Sequence, residues 1–259
     1  MKVDFNKYQG TGNDFVILDN RNGKYSNLTS QQIAFVCNRR LGIGADGLMM
    51  LETAEGYDFR MKYYNADGYE GSMCGNGGRC IVQFACDLKL IESKTCFIAS
   101  DGPHDALITD SGWIELSMIE VEGVEKRENA SILNTGSPHY IQSVTQLNSL
   151  DVELMGRAIR YNEEFKNKGI NVNFIEPLSD GLHIRTYERG VEAETLSCGT
   201  GATAAALSIA PVSPNLQSIV VQTKGGMLKI KFLHQEKDKF RDIRLCGPAK
   251  HVFYGTIDL

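Results

Sequence analysis

No apolar run in this chain approaches the roughly 18–20 residues that a helix needs to cross a bilayer. The opening residues Met1-Lys2-Val3-Asp4-Phe5-Asn6 lack the apolar stretch of an export signal. Positive charge is not in excess: 27 Lys and Arg against 32 Asp and Glu leave a net charge of −5. That balance speaks against nucleic-acid binding. Neither Cys-x-x-Cys nor His-x-x-x-His occurs, and Cys74, Cys80 and Cys86 follow at intervals of six. Structural zinc sites usually pair their ligands more closely, so no metal is expected. Cys37, Cys96, Cys198 and Cys246 bring the cysteines to seven. An odd count without an export signal does not read as a disulfide framework. The expectation is a cytoplasmic protein with reduced thiols, no membrane partner and no nucleic acid. Low-complexity segments and long linkers are missing as well.

What is present is a repeat. Ser197-Cys198-Gly199-Thr200-Gly201-Ala202 echoes Met73-Cys74-Gly75-Asn76-Gly77-Gly78 at a spacing of 124 residues. Thr135-Gly136-Ser137 echoes Thr11-Gly12-Asn13 at the same spacing, and Tyr187-Glu188 echoes Tyr64-Asn65 at 123. Self-similarity at a fixed offset marks a duplicated unit. A chain of 259 residues divides naturally into two such units, each with one thiol.

Short apolar runs bounded by turn residues read as strands: Phe15 to Leu18, Phe59 to Tyr64, Trp113 to Met118, His183 to Tyr187, Ser218 to Val221 and Met227 to Leu233. Four helices are predicted, over Ser30 to Arg39, Gly78 to Lys89, Leu150 to Tyr161 and Gly201 to Ala210. The second and fourth have almost no polar face, which requires burial on all sides. The pattern implies an α+β fold of two pseudo-symmetric domains. Each is a mostly antiparallel sheet around a central helix, with the active site in the cleft between them. The boundary between the two domains is expected near Glu120 to Asn129, a charged stretch between Met118 and the second Thr-Gly phrase.

A cysteine at a glycine-rich helix start has a distinct chemistry. The first N–H groups of a helix lack internal partners, and that end carries partial positive charge. A thiol there ionises more readily than at its ordinary value of about 8.5, and a carboxylate can dock on the same N–H groups. Two such ends facing one α-carbon would let one thiolate remove its hydrogen while the other thiol delivers one to the opposite face. That chemistry is racemisation or epimerisation. A single Cys-Gly-x-Gly reads better as a buried structural cysteine; two in register within a duplication read as a pair. The other five cysteines read as structural.

The chain resembles the diaminopimelate epimerase family, on Gly12-Asn13-Asp14-Phe15, Asn65-Ala66-Asp67-Gly68, Met73-Cys74-Gly75-Asn76-Gly77 with Arg79-Cys80, Gly136-Ser137-Pro138-His139, Asn171-Val172-Asn173-Phe174, Tyr187-Glu188-Arg189-Gly190 and Thr195-Leu196-Ser197-Cys198-Gly199-Thr200-Gly201. The resemblance implies catalysis by Cys74 and Cys198 without pyridoxal phosphate or another cofactor. It implies Asn13, Asn65, Gly75, Asn76, Asn171, Glu188, Arg189, Gly199 and Thr200 as substrate-binding, with His139 and Glu188 tuning the thiols. It also implies a small-molecule substrate, diaminopimelate, a place in lysine and peptidoglycan precursor synthesis, sheets that are barrel-like, and a final strand near Pro248 to Leu259 that returns to the first domain, so that the domains run over 1–118 plus 248–259 and over 119–247. A homodimer is an assembly it admits. Two positions depart from the family: Ser137 stands where asparagine is usual, and Gly47 where some relatives carry glutamine. Rival readings are a proline- or histidine-type racemase on the same scaffold, a relative of the phenazine-biosynthesis isomerases, and a thiol or metal-binding module.

Overall fold

The repeated Thr-Gly phrase marks a corresponding hairpin in each half of the chain. The computed structural model describes residues 1–259 and divides them into two compact units, Met1–Leu116 with Gly247–Leu259 and Ser117–Cys246.

Unit 1 contains β1 (Lys2–Gly10), β2 (Asn13–Asp19), α1 (Ser30–Cys37), β3 (Gly47–Glu52), β4 (Phe59–Asn65), α2 (Gly75–Asp87), β5 (Lys94–Ala99), β6 (Gly102–Ile108) and β7 (Ile114–Ser117). β1–β2 is antiparallel, β2–β3 parallel, β3–β4 antiparallel, β4–β5 parallel, and β5–β6 and β6–β7 antiparallel. Unit 2 contains β8 (Val121–Glu122), β9 (Glu125–Lys126), β10 (Ala130–Asn134), β11 (Pro138–Ser143), α3 (Val152–Arg160), β12 (Asn171–Leu178), β13 (Gly181–Glu188), β14 (Ala193–Thr195), α4 (Gly199–Ile209), β15 (Ser213–Thr223), β16 (Gly226–Glu236) and β17 (Lys239–Gly247). From β10 onward the pairings repeat those of unit 1: β10–β11 antiparallel, β11–β12 parallel, β12–β13 antiparallel, β13–β15 parallel, β15–β16 and β16–β17 antiparallel. The helices fall at the same two crossovers in each unit. The duplication in sequence is thus a duplication of topology. β18 (Lys250–Asp258) pairs antiparallel with β1, Lys2 opposite Asp258.

α1 and α3 start where local chemistry starts them. Thr29 and Gln32 form a reciprocal capping box at α1, and Asp151 accepts from Leu154 N–H at α3. The other two helices are held by burial. Ten of the thirteen residues of α2 and nine of the eleven of α4 are buried. α4 touches β10, β11, β12, β13, β15 and β16, so the sheet of unit 2 wraps it. Small side chains from Ala202 to Ala206 let those strands close in. The hydroxyls left inside are satisfied on the helix itself: Thr203 Oγ1 donates to Gly199 O at 3.0 Å and Ser208 Oγ to Ala205 O at 2.8 Å.

The observed helices differ from the sequence expectation at their ends. α2 begins at Gly75 rather than Gly78, and α4 at Gly199 rather than Gly201. Glycine costs about 1 kcal/mol in a helix, which places the expected start after the glycines; packing of both first turns overrides that cost. α1 also stops at Cys37, short of Arg39. No helix is long and apolar enough to cross a membrane.

Candidate active site

In unit 1, Thr11 and Gly12 take positive φ of 51° and 85°, the turn that joins antiparallel strands tightly. They place Asn13 at the first position of β2. A Cβ on Gly10 would stand 3.2 Å from both Asn76 O and Arg79 Nη2, so this hairpin lies against the first turn of α2. Cys74 is the N-cap of α2, extended at φ −109°, ψ 123°, and its side chain makes no cap bond. The first internal helical bond runs from Gly78 N–H to Cys74 O at 2.7 Å. The N–H groups of Gly75, Asn76 and Gly77 therefore precede the helical ladder and lie at its positive end.

A polar chain holds this turn. Cys74 Sγ donates to Asn13 Oδ1 at 3.7 Å, and Asn76 Nδ2 donates to the same oxygen at 3.2 Å. Asn13 Nδ2 donates to Asp46 Oδ2 at 2.6 Å, which fixes which end of the amide faces the thiol. Arg39 bridges Asp46 and Asp14, and Lys7 reaches Asp14 at 2.6 Å. Burial opposes ionisation of Asp14, but hydrogen bonds from Arg39 and Lys7 prevail and pull its carboxyl down to about 2. Arg79 is fully buried and binds Gly75 O at 3.2 Å, Asn76 Oδ1 at 3.0 Å and Thr11 Oγ1 at 3.4 Å.

Unit 2 repeats the turn with neutral groups. Cys198 is the N-cap of α4 at φ −118°, ψ 114°, again with no side-chain cap bond. Ala202 N–H makes the first helical bond, to Cys198 O at 2.9 Å. Thr135 Oγ1 donates to Thr200 O at 2.9 Å and so ties the Thr-Gly turn to the helix. Thr200 Oγ1 lies 3.5 Å from Cys198 Sγ. Below the turn, a Cβ on Gly201 would be 2.5 Å from Asn173 Oδ1 and 3.3 Å from Cys198 Sγ. Asn173 Nδ2 meets His139 Nδ1 at 3.1 Å. His139 is fully buried; that burial, reinforced by the Arg189 charge, pushes its imidazole down to about 3.

Asn171, Arg189 and Ser137 form a second group. Arg189 N–H donates to Asn171 Oδ1 at 2.9 Å. Asn171 Nδ2 donates to Ser137 Oγ at 2.8 Å and to Pro138 O at 3.1 Å. Arg189 Nη2 also donates to Ser137 Oγ, at 3.3 Å. The hydroxyl of Ser137 thus bridges amide and guanidinium, which accounts for a shorter side chain in this phrase. Both amide hydrogens of Asn171 are used within the protein. Glu188 ends β13 and accepts from Thr195 Oγ1 at 2.8 Å. Asn65 is exposed at the end of β4. A Cβ on Gly47 would fall 2.5 Å from Tyr63 Cε2; a glutamine at 47 and the present Tyr63 ring exclude each other.

Unit 1 therefore gathers Cys74, Gly75, Asn76 and Asn13, and unit 2 gathers Cys198, Gly199, Thr200, His139, Asn171 and Arg189. Sequence reasoning passed over the support beneath them: Asp46 behind Asn13, Arg79 under the α2 turn, and Asn173 with Thr186 behind His139. Asn173 carried a signal, since it lies two residues after Asn171 on one strand and so on the same face. Asp46 carried none, because its contact with Asn13 spans 33 residues of chain. Neither unit gathers three His, Cys, Asp or Glu side chains that could hold a metal ion.

Solved structures share this architecture. A phenazine biosynthesis protein of the PhzF family from Bacillus anthracis superposes with a TM-score of 0.78 at 14% identity, covering 100% of both chains. A hydroxyproline epimerase from Agrobacterium vitis superposes at 0.69 and 14% identity, covering 99% of this chain and 92% of that one. At that identity they show the fold alone. Sequence relatives are much nearer. The chain is 49% identical to the diaminopimelate epimerase of Flavobacterium psychrophilum, over 97% of this chain and 98% of that one. It is 44% identical to that of Chlorobaculum tepidum, over 96% and 99%. The family profile described as diaminopimelate epimerase matches residues 5–113 and 131–252, and the chain belongs to the diaminopimelate epimerase family.

Proposed function

We propose that this protein epimerises LL-2,6-diaminopimelate to the meso form at one α-carbon, with Cys74 and Cys198 as the acid/base pair and no cofactor. The observation that carries this reading is the duplicated helix start: two thiols, each on the N-cap residue of a mostly buried helix and neither spent on a cap bond. In the resting pair one sulfur is a thiolate and the other a thiol. The thiolate takes the α-hydrogen as a proton, leaving the electron pair on the α-carbon and its carboxylate. The opposite thiol then returns a proton to the other face, and the pair ends with its protonation exchanged. The mechanism requires both sulfurs to reach one carbon from opposite sides.

Energetics support the helix starts as partners in this chemistry. A million-fold acceleration needs about 8 kcal/mol, and a positioned base supplies only about a hundred- to ten-thousand-fold. Fixed N–H groups of Gly75, Asn76, Gly199 and Thr200, aimed where charge grows on the carboxylate, supply the larger share. The distal end of the substrate is itself an amino-acid group. Arg189 suits its carboxylate and Glu188 its ammonium; Asn13 and Asn65 donate to or accept from either end, and Asn171, its amide hydrogens spent within the protein, accepts. His139 and Glu188 tune the thiols. The chain acts as two domains, 1–118 with 248–259 and 119–247. A reaction that runs on reduced thiols suits the cytoplasm, where its product feeds lysine and peptidoglycan precursor synthesis.

Turnover assays with diaminopimelate, proline and histidine test the substrate; activity confined to diaminopimelate is expected. Cys74→Ala and Cys198→Ala should each abolish epimerisation with an intact fold by circular dichroism. In heavy water, deuterium should enter one α-carbon only. A Cys198→Ala enzyme that interconverts stereoisomers at the parent rate would falsify the two-thiol mechanism.

A further inference from the structure

Three positions beneath each cysteine turn correspond through the shared topology. In unit 1, Phe15 is paired with Gly47 and Met49 with Tyr63. In unit 2, His139 is paired with Asn171 and Asn173 with Thr186. The correspondence extends to the helices: a Cβ on Gly77 would meet Met49 Sδ at 3.1 Å, and one on Gly201 meets Asn173 Oδ1 at 2.5 Å. Phe15, Met49 and Tyr63 thus match His139, Asn173 and Thr186. The unit 1 trio is built as ordinary packing, with Phe15 and Met49 fully buried and the Phe15 and Tyr63 rings edge-on at 6.1 Å. At Phe15 and Met49 the fold asks only for apolar volume. Unit 2 instead buries three polar side chains there, His139 and Asn173 at 0% exposure and Thr186 at 4%. Buried polar groups cost stability unless they are bonded, so this trio serves something other than the fold.

The bonds within it fix one arrangement. Asn173 Oδ1 accepts from Thr186 Oγ1 at 2.9 Å. Asn173 Nδ2 lies 3.2 Å from Tyr140 O and 3.4 Å from Asn171 O. The reversed amide would set its oxygen against both carbonyls. The amide nitrogen therefore faces His139 Nδ1 and donates to it. A ring nitrogen that accepts carries no hydrogen, so in the neutral ring the hydrogen sits on Nε2. Nε2 is buried and has no hydrogen-bond partner in the chain.

We propose that Asn173, held by Thr186 in the layer beneath the Cys198 turn, is a positioning residue that fixes His139 as the Nε2–H tautomer, so that the free nitrogen of the imidazole offers a hydrogen-bond donor and no base. The inference rests on the reading of Cys198 as half of the acid/base pair. A free lone pair there would compete for the proton that the Cys198 thiol must keep until it is needed. A donor cannot take up that proton, and it favours the negative charge that sulfur carries once the proton has left. Gly201 is the position that makes room for the arrangement.

Nitrogen-15 NMR of histidine-labelled enzyme reads the tautomer directly. The parent is expected to show a hydrogen-free Nδ1 and a protonated Nε2 at His139. Asn173→Asp presents acceptor oxygens to Nδ1; it should move the hydrogen to Nδ1 and lower kcat at least tenfold, with KM within twofold. Thr186→Val, of nearly the same volume, should also lower kcat, and Thr186→Ser should recover it. Should Asn173→Asp fail to fold, the two Thr186 variants read the same two quantities. A parent spectrum with hydrogen on Nδ1 overturns the assignment, as does a displaced hydrogen with parental kcat. The parent spectrum needs no turnover, so an enzyme inactive on diaminopimelate counts against the proposed reaction and leaves the tautomer to be decided on its own.

Discussion

Arg79 and Thr203 occupy the same place in two copies of one helix, 124 residues apart. Both are fully buried. Each bonds the carbonyl four residues earlier, Arg79 Nη1 to Gly75 O at 3.2 Å and Thr203 Oγ1 to Gly199 O at 3.0 Å. A threonine hydroxyl is evidently enough to steady that first turn. The arginine therefore adds something the helix does not require: a positive charge sealed one turn below Cys74, joined to Asn76 and Thr11. The same contrast runs through the surroundings. Carboxylates and cations (Asp14, Asp46, Arg39, Lys7) brace the first turn, while a neutral amide, imidazole and hydroxyls brace the second. Duplication preserved the backbone and let the electrostatics of the two thiols diverge.

Arg79→Thr copies unit 2 into unit 1 and should be the most costly change. It leaves Asn76 Oδ1 without that donor and opens a cavity, so a loss of about 3 kcal/mol or more is expected from urea unfolding. A loss below about 1 kcal/mol would mean that the charge is not anchored as described. Next in size is acid sensitivity. The folded His139 pKa of about 3 lies far below the ordinary value of 6.5. Between those values the unfolded chain binds a proton that the folded one refuses, so stability falls with falling pH throughout that window. The expected loss is about 3 kcal/mol at pH 4. His139→Phe, which copies Phe15, should flatten that part of the profile. Asp14 in unit 1 has the opposite kind of partner, and its contribution persists until pH falls from 3.8 toward 2; this arm should survive in His139→Phe. Smallest is a pair of glycine substitutions. Gly201→Ala must displace Asn173 from 2.5 Å, whereas Gly77→Ala presses only on the flexible ends of Met49 and Met61 at 3.1 and 3.4 Å and makes an ordinary contact with Cys74 Cβ at 3.6 Å. Both gain about 0.5–1 kcal/mol of helix propensity. Gly77→Ala should be near neutral in thermal melts, and Gly201→Ala should lose about 1–3 kcal/mol to overpacking. Equal effects at the two sites would erase the difference between the layers.

Much of this was legible in the sequence because two copies share one chain. Cys74 and Cys198 stood out through their common phrase, and the two apolar helices through their missing polar face. The phrases themselves have a mechanical reason: Thr11 and Thr135 tie their hairpins to the cysteine helices by different bonds, to Arg79 Nη2 and Thr200 O. What the sequence hid was set by tertiary packing. The glycine propensity cost concealed where α2 and α4 begin. The parallel pairing of β2 with β3 joins residues more than 30 positions apart, beyond any local pattern. His139 was visible as a residue but not as a tautomer, because that depends on Thr186 and on two backbone carbonyls brought together by folding. Ser137 read as a departure from the family, and only its position between Asn171 and Arg189 explains it.

β18 lies beside β1, and Leu259 N–H bonds Met1 O at 2.9 Å. Unit 2 is thus threaded into unit 1 as an insertion, and translation makes the inner half whole before the outer half has all its strands. The ribosome usually lets the earlier domain fold first; here the half that starts first must wait, with an edge of β1 bare, until the last segment emerges. Because the two ends meet in one sheet, a chain relinked there and opened at a surface turn would reverse that order while keeping every contact.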